Sequence, residues 1–170
     1  MKNKHITLTS IFLAVSCFAL LPTTQALTPT PDGCYPGFTT AEGCNALSHL
    51  TSGAGNTGLG WYAVFGTSTG NYNIGVGAGT LVLNNSDSNT AVGAAALLLN
   101  TAGTGNSALG ATAMVNNDNG NNNTDVGSFA LQNNINGSDI IAVGAGAGTN
   151  PDLVSNNVYI GDPGFLAMRM

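Results

Sequence analysis

Few residues of this chain can do chemistry. Cys34 and Cys44 stand ten positions apart, and His49 is the one histidine beyond position 5. The acids Asp32, Glu42, Asp87, Asp118, Asp125, Asp139, Asp152 and Asp162 are scattered singly. Catalysis needs an acid, a base and a nucleophile that converge with tuned pKa values. A lone histidine and dispersed carboxylates offer no such set, and no His-Glu-x-x-His pair occurs to hold a metal. An enzyme is not expected, and neither is a cofactor or metal site. Gly75-Val76-Gly77-Ala78-Gly79 and Gly144-Ala145-Gly146-Ala147-Gly148 imitate phosphate loops, yet neither carries the lysine such a loop needs. Asp118 and Asp125 flank the Asn-rich run 116–123, where a solvated turn is expected rather than a calcium site. Asn-x-Ser/Thr triplets begin at Asn84, Asn122 and Asn136, as a chain this rich in Asn produces by chance.

Residues 1–26 read as a secretory signal peptide. Lys2 and Lys4 supply the positive start, Ile6 to Leu21 an apolar run, Pro22 a break, and Thr24-Gln25-Ala26 the small residues before cleavage. Ala14-Val15-Ser16-Cys17 is the weaker alternative, a lipidation site. The apolar run is too short for a retained membrane span. Cleavage after Ala26 leaves one strong base, Arg169, against eight acids, and one minus eight gives a net charge of −7. Without clustered Lys and Arg, nucleic acid and anionic membranes are poor partners. The dispersed acids read as solvated surface charge. In an oxidising compartment a Cys34–Cys44 disulfide is the default, with two free thiols as the alternative.

The elements that must position these residues come from a repeat. Gly43, Gly60, Gly77, Gly93, Gly110, Gly127, Gly144 and Gly161 recur at intervals of 17, with a single interval of 16 between Gly77 and Gly93. One position earlier stand Leu59, Val76, Val92, Leu109, Val126, Val143 and Ile160, with Glu42 in the first unit. Four before the glycine an Asn recurs, as at Asn56, Asn73, Asn89, Asn106, Asn123 and Asn157. Three and four after it comes an apolar pair, as in Ala96-Leu97. Ten after it, Gly53, Gly70, Gly103, Gly120 and Gly137 mark a second turn.

Such a period signals a stacked architecture. The columns predict an all-β parallel solenoid (a β-roll) of about eight 17-residue coils over residues 39–164. A lead-in at 27–38 precedes it and a short tail at 165–170 follows. Thr and Val two apart, as in Thr90 and Val92, share one face of a short strand. The aliphatic column can turn inward as a continuous buried strip or equally face a partner chain, and the Asn side chains can stack coil on coil. One coil cannot offset its own ordering entropy, whereas stacked coils share a core. Glycine at two fixed places per coil excludes helices. Trp61, Tyr62, Phe65 and Tyr72 cluster early, either as a sticky binding patch or as filling for a wide corner.

These columns carry a resemblance. Asn89-Thr90-Ala91-Val92-Gly93-Ala94-Ala95-Ala96-Leu97, followed by Asn100-Thr101-Ala102-Gly103, resembles the repeat of YadA-like heads of trimeric autotransporter adhesins. It is similar also to Asn-Thr-Gly-rich repeats of bacterial surface and tail-fibre proteins. Pro31-Asp32-Gly33-Cys34-Tyr35-Pro36-Gly37 resembles their lead-in, and Asn156-Asn157-Val158-Tyr159-Ile160-Gly161-Asp162-Pro163-Gly164 their closing unit. The resemblance spans about residues 31–164. It implies a left-handed roll, often a homotrimer, at the cell surface or outside the cell, with the periplasm as the alternative. It also implies contact with a host-matrix protein or glycan, or a purely structural fibre role. An autotransporter would continue into a stalk and membrane anchor, which do not follow the closing motif here, so a small head-like module or a shortened copy of a longer fibre protein is expected. An ice-binding face would need an unbroken Thr array, and Ile74, Ser107, Ile141 and Val158 interrupt it.

Overall fold

A computed structural model describes residues 37–150, 155–161 and 163. The expected leader, Cys34 and the tail from 165 lie outside the described residues. Eight three-residue strands follow one another: β1 (Thr40–Glu42), β2 (Thr57–Leu59), β3 (Ile74–Val76), β4 (Thr90–Val92), β5 (Ser107–Leu109), β6 (Thr124–Val126), β7 (Ile141–Val143) and β8 (Val158–Ile160). They form one parallel sheet in sequence order, each residue paired with its equivalent one coil on, as in Thr90↔Ser107, Ala91↔Ala108 and Val92↔Leu109. This is the expected solenoid. Among the described residues there is no helix.

Of the two directions open to the aliphatic column, the strands take the outward one. In each of β2–β8 the middle residue is buried and its two neighbours are not. The inward column is therefore Gly58, Gly75, Ala91, Ala108, Asp125, Ala142 and Tyr159, and the aliphatic column faces out. The reason is room. A Cβ on Gly58 would lie 3.2 Å from Leu47 Cγ, and one on Gly75 would lie 2.6 Å from Val64 Cγ2. The cross-section is narrow, and the facing column Leu47, Val64, Leu81, Leu97, Met114 and Leu131 already fills it. Where that column shrinks to Gly148, the strand side enlarges to Tyr159, whose ring stands 3.1 Å from the place of a Gly148 Cβ. Constant core volume, rather than hydrophobicity at each place, sets the pattern.

The facing column enters the core at a cost. Leu47, Val64, Leu81, Leu97, Met114 and Leu131 all hold left-handed backbone, with φ between 46° and 53°. Such a conformation costs roughly 1–2 kcal/mol per non-glycine residue. Full burial of a large aliphatic side chain contributes about 1.5–3 kcal/mol against it. The ladder glycines face a stricter limit: Gly110 has φ +151°, and a Cβ there would stand 2.4 Å from the Gly127 carbonyl oxygen. That approach is backbone against backbone, so it cannot relax.

Two columns of buried Asn join the coils. In the first, the backbone N–H groups of Asn73, Asn89, Asn106, Asn123 and Ile140 donate to the Oδ1 of the Asn one coil earlier, at 2.9–3.0 Å. Each Nδ2 then reaches across to the second turn, as Asn106 does to Gly120 O at 2.8 Å. In the second, Asn100, Asn117 and Asn134 donate from Nδ2 to the Oδ1 of Asn84, Asn100 and Asn117 at 2.7–2.8 Å. The 16-residue coil is absorbed at this second turn. Ser86 takes the glycine place there, accepting from Asn73 Nδ2 at 2.7 Å and donating its hydroxyl to Gly103 O at 2.6 Å.

Asn106→Ala leaves the Asn123 N–H and the Gly120 carbonyl without these partners. It is expected to destabilise the fold by about 2–4 kcal/mol, read from denaturant unfolding followed by circular dichroism. A loss below about 0.5 kcal/mol would show that the amide stack is passive.

Candidate functional site

The outward face of the sheet is the most regular surface of the molecule. β2–β8 direct fourteen side chains outward, two per strand, and none is charged. One column is Leu59, Val76, Val92, Leu109, Val126, Val143 and Ile160. The other mixes hydroxyl and aliphatic groups: Thr57, Ile74, Thr90, Ser107, Thr124, Ile141 and Val158. Leu109 is 51% exposed and Val126 39%, in the middle of the array. At about 4.8 Å per strand the seven-stranded stripe is roughly 29 Å long. Parallel pairing in strict register keeps each column aligned from coil to coil. Branched aliphatics in one exposed line form the kind of apolar patch that marks an interaction surface.

The expected aromatic patch is partly assembled. Trp61 packs on Tyr62 with centroids 4.4 Å apart, Tyr62 on Phe65 at 4.6 Å, and Phe65 edge-on to His49 at 4.2 Å. His49 Nδ1 lies 3.1 Å from Phe65 O, which places the ring proton on that nitrogen. Trp61 remains 59% exposed. Its counterpart one coil on is Ala78, whose methyl is too small to cover an indole, and Gly79 beyond it donates its N–H to Trp61 O at 2.8 Å. Tyr72 does not join the run. It packs over Gly55, whose Cβ place is 2.7 Å from Tyr72 Cδ1. His49 completes the run, and its spacing from Phe65, one coil less a residue, was the available clue.

Among the described residues, chemistry-bearing side chains do not gather elsewhere. Among the described residues no three His, Cys, Asp or Glu side chains gather to hold a metal ion. The chain spells Gly-x-Ser-x-Gly once, at Gly66-Thr67-Ser68-Thr69-Gly70, without the strand-to-helix turn of a nucleophile elbow. Ser68 Oγ there sits 2.9 Å from Thr51 Oγ1, and Ser68 O accepts from the coil below. The two phosphate-loop mimics are coil corners. Asp118 and Asp125 part company: Asp118 accepts from Thr101 Oγ1 and Asn119 Nδ2 beside a shallow groove of about 620 Å³, lined by Leu83, Leu99 and Ile135. Asp125 points into the core, so the expectation of uniformly solvated acids fails at this residue. Cys44 is exposed, and Cys34, its expected disulfide partner, is outside the described residues. Of the glycosylation triplets, Asn84 is fully buried in the second Asn column.

No family model, curated protein or solved structure matches this chain. The likeness to YadA-like head repeats accordingly rests on the repeat columns themselves.

Trp61 is the only tryptophan, which makes the aromatic ledge directly observable. Its fluorescence is expected to be red-shifted and readily quenched by acrylamide in the folded protein. A blue-shifted, protected emission would mean that the indole is covered.

Proposed function

We propose that this is an exported, non-enzymatic surface solenoid, adhesin-like or structural, whose uncharged outer face packs against copies of itself, most simply as a homotrimer. The carrying observation is the uncharged stripe of Val92, Leu109, Val126 and Val143 on the outside of a sheet whose inside is already full. Water contact along that stripe is a standing free-energy cost that association removes. The mixed hydroxyl column beside it gives the contact polar groups of fixed spacing. In this reading a host-matrix protein or glycan meets the molecule at the exposed Trp61, beside Tyr62 and Phe65, where a flat apolar ring face is open to solvent. The leader directs the chain out of the cell, and the Cys34–Cys44 pair staples the first coil.

Light scattering of the mature protein is expected to return three times the chain mass. Val126→Glu, which places a charge in mid-stripe, is expected to return the single-chain mass with an unchanged circular dichroism spectrum. A wild-type protein that stays monomeric at high concentration would refute the assembly.

A further inference from the structure

Asp125 occupies the inward place of β6, where the flanking strands carry Ala108 and Ala142. It is 1% exposed, and neither carboxyl oxygen has a hydrogen-bond partner. The equivalent place at Gly75 meets Val64 and Thr80, and the repeat puts Met114 and Ala130 in those positions around Asp125. The Met114 N–H is already committed to Ala130 O at 3.0 Å. None of Ala108, Ala142, Met114 or Ala130 is titratable, so no element packed against the carboxyl offers a charge of either sign. The other described acids, Glu42, Asp87, Asp118 and Asp139, are on the surface, fully or partly exposed.

A bare carboxylate in such a place would forfeit its hydration without compensation, whereas a neutral carboxyl forfeits far less. We propose that Asp125 is a proton-operated weak point of the solenoid: the coils around β6 keep their register while this carboxyl holds its proton, and they part to admit water when it leaves. Desolvation by burial is the dominant cause and raises the carboxyl from 3.8 to about 8; the Met114 backbone, its N–H already bonded to Ala130 O, acts in the other direction without closing a hydrogen bond to the carboxyl. The sign follows from linkage. The folded state binds the proton more tightly than the open chain, so the stabilisation is complete below about pH 4 and is lost as pH rises toward the folded value. Because Thr124 and Val126 flank Asp125 on the outer face, the loosening would fall in the middle of the stripe. The inference does not depend on what that stripe binds.

Thermal and denaturant unfolding of the wild type and Asp125→Ala between pH 5.5 and 8 tests it. Alanine already stands at Ala108 and Ala142, so the variant keeps a residue type the column accepts. Every other titratable group is common to the two proteins, so its contribution cancels in the comparison. The wild-type unfolding equilibrium is expected to shift toward the open chain by on the order of a hundredfold across the window, while Asp125→Ala stays level. Parallel pH profiles for the two proteins would overturn the proposal. So would an Asp125 side-chain carbon resonance that titrates in the ordinary carboxylate range.

Discussion

Everything in this molecule depends on successive coils lying directly on one another at backbone contact distance. The glycine corner enforces that distance, since a Cβ at Gly110 would meet the Gly127 carbonyl at 2.4 Å. Once the corners touch, the parallel strands, the Asn columns and the leucine column all fall into the same register, because each repeats with the same period. Loss of register at one corner would break three kinds of contact together. This is why so narrow a core can still hold a fold: many small, directional contacts are made cooperatively along one axis.

The polar interior follows from the same closeness. A narrow tube has little volume for aliphatic side chains but many backbone groups at its turns. Asn supplies an acceptor and two donors in a small volume. Asn106 shows the economy, joining the Asn123 N–H, the Asn89 amide oxygen and the Gly120 carbonyl through one side chain. A hydrophobic residue can stand in the column only where the neighbouring requirements relax, as at Ile140, which still donates its N–H to Asn123 Oδ1.

The period, the coil boundaries, the parallel all-β class and the first Asn column were legible in the sequence, because each is written as identical residues at a constant spacing. The facing of the strands was not. Hydrophobicity left the Val and Leu column free to face the core or a partner chain, and the better signal was size: Gly58, Gly75, Ala91, Ala108 and Ala142 are the small residues that a tube lined by Leu81 and Leu97 can admit. With that parity settled, the candidate surface and the buried Asp125 both come into view, as residues one place either side of each other. The ring run around Trp61 was half legible, since Tyr72 is near in sequence but belongs to the opposite turn, while His49 comes from the coil before.

The second Asn column has a direction. Asn100, Asn117 and Asn134 each offer their amide nitrogen backward to the oxygen of the preceding coil, without alternation. Their dipoles therefore add along the axis, and the rod has a head and a tail that differ chemically as well as in sequence. Lengthening it by duplicating coils would extend a single aligned thread, whereas joining two copies tail to tail would set like ends against each other.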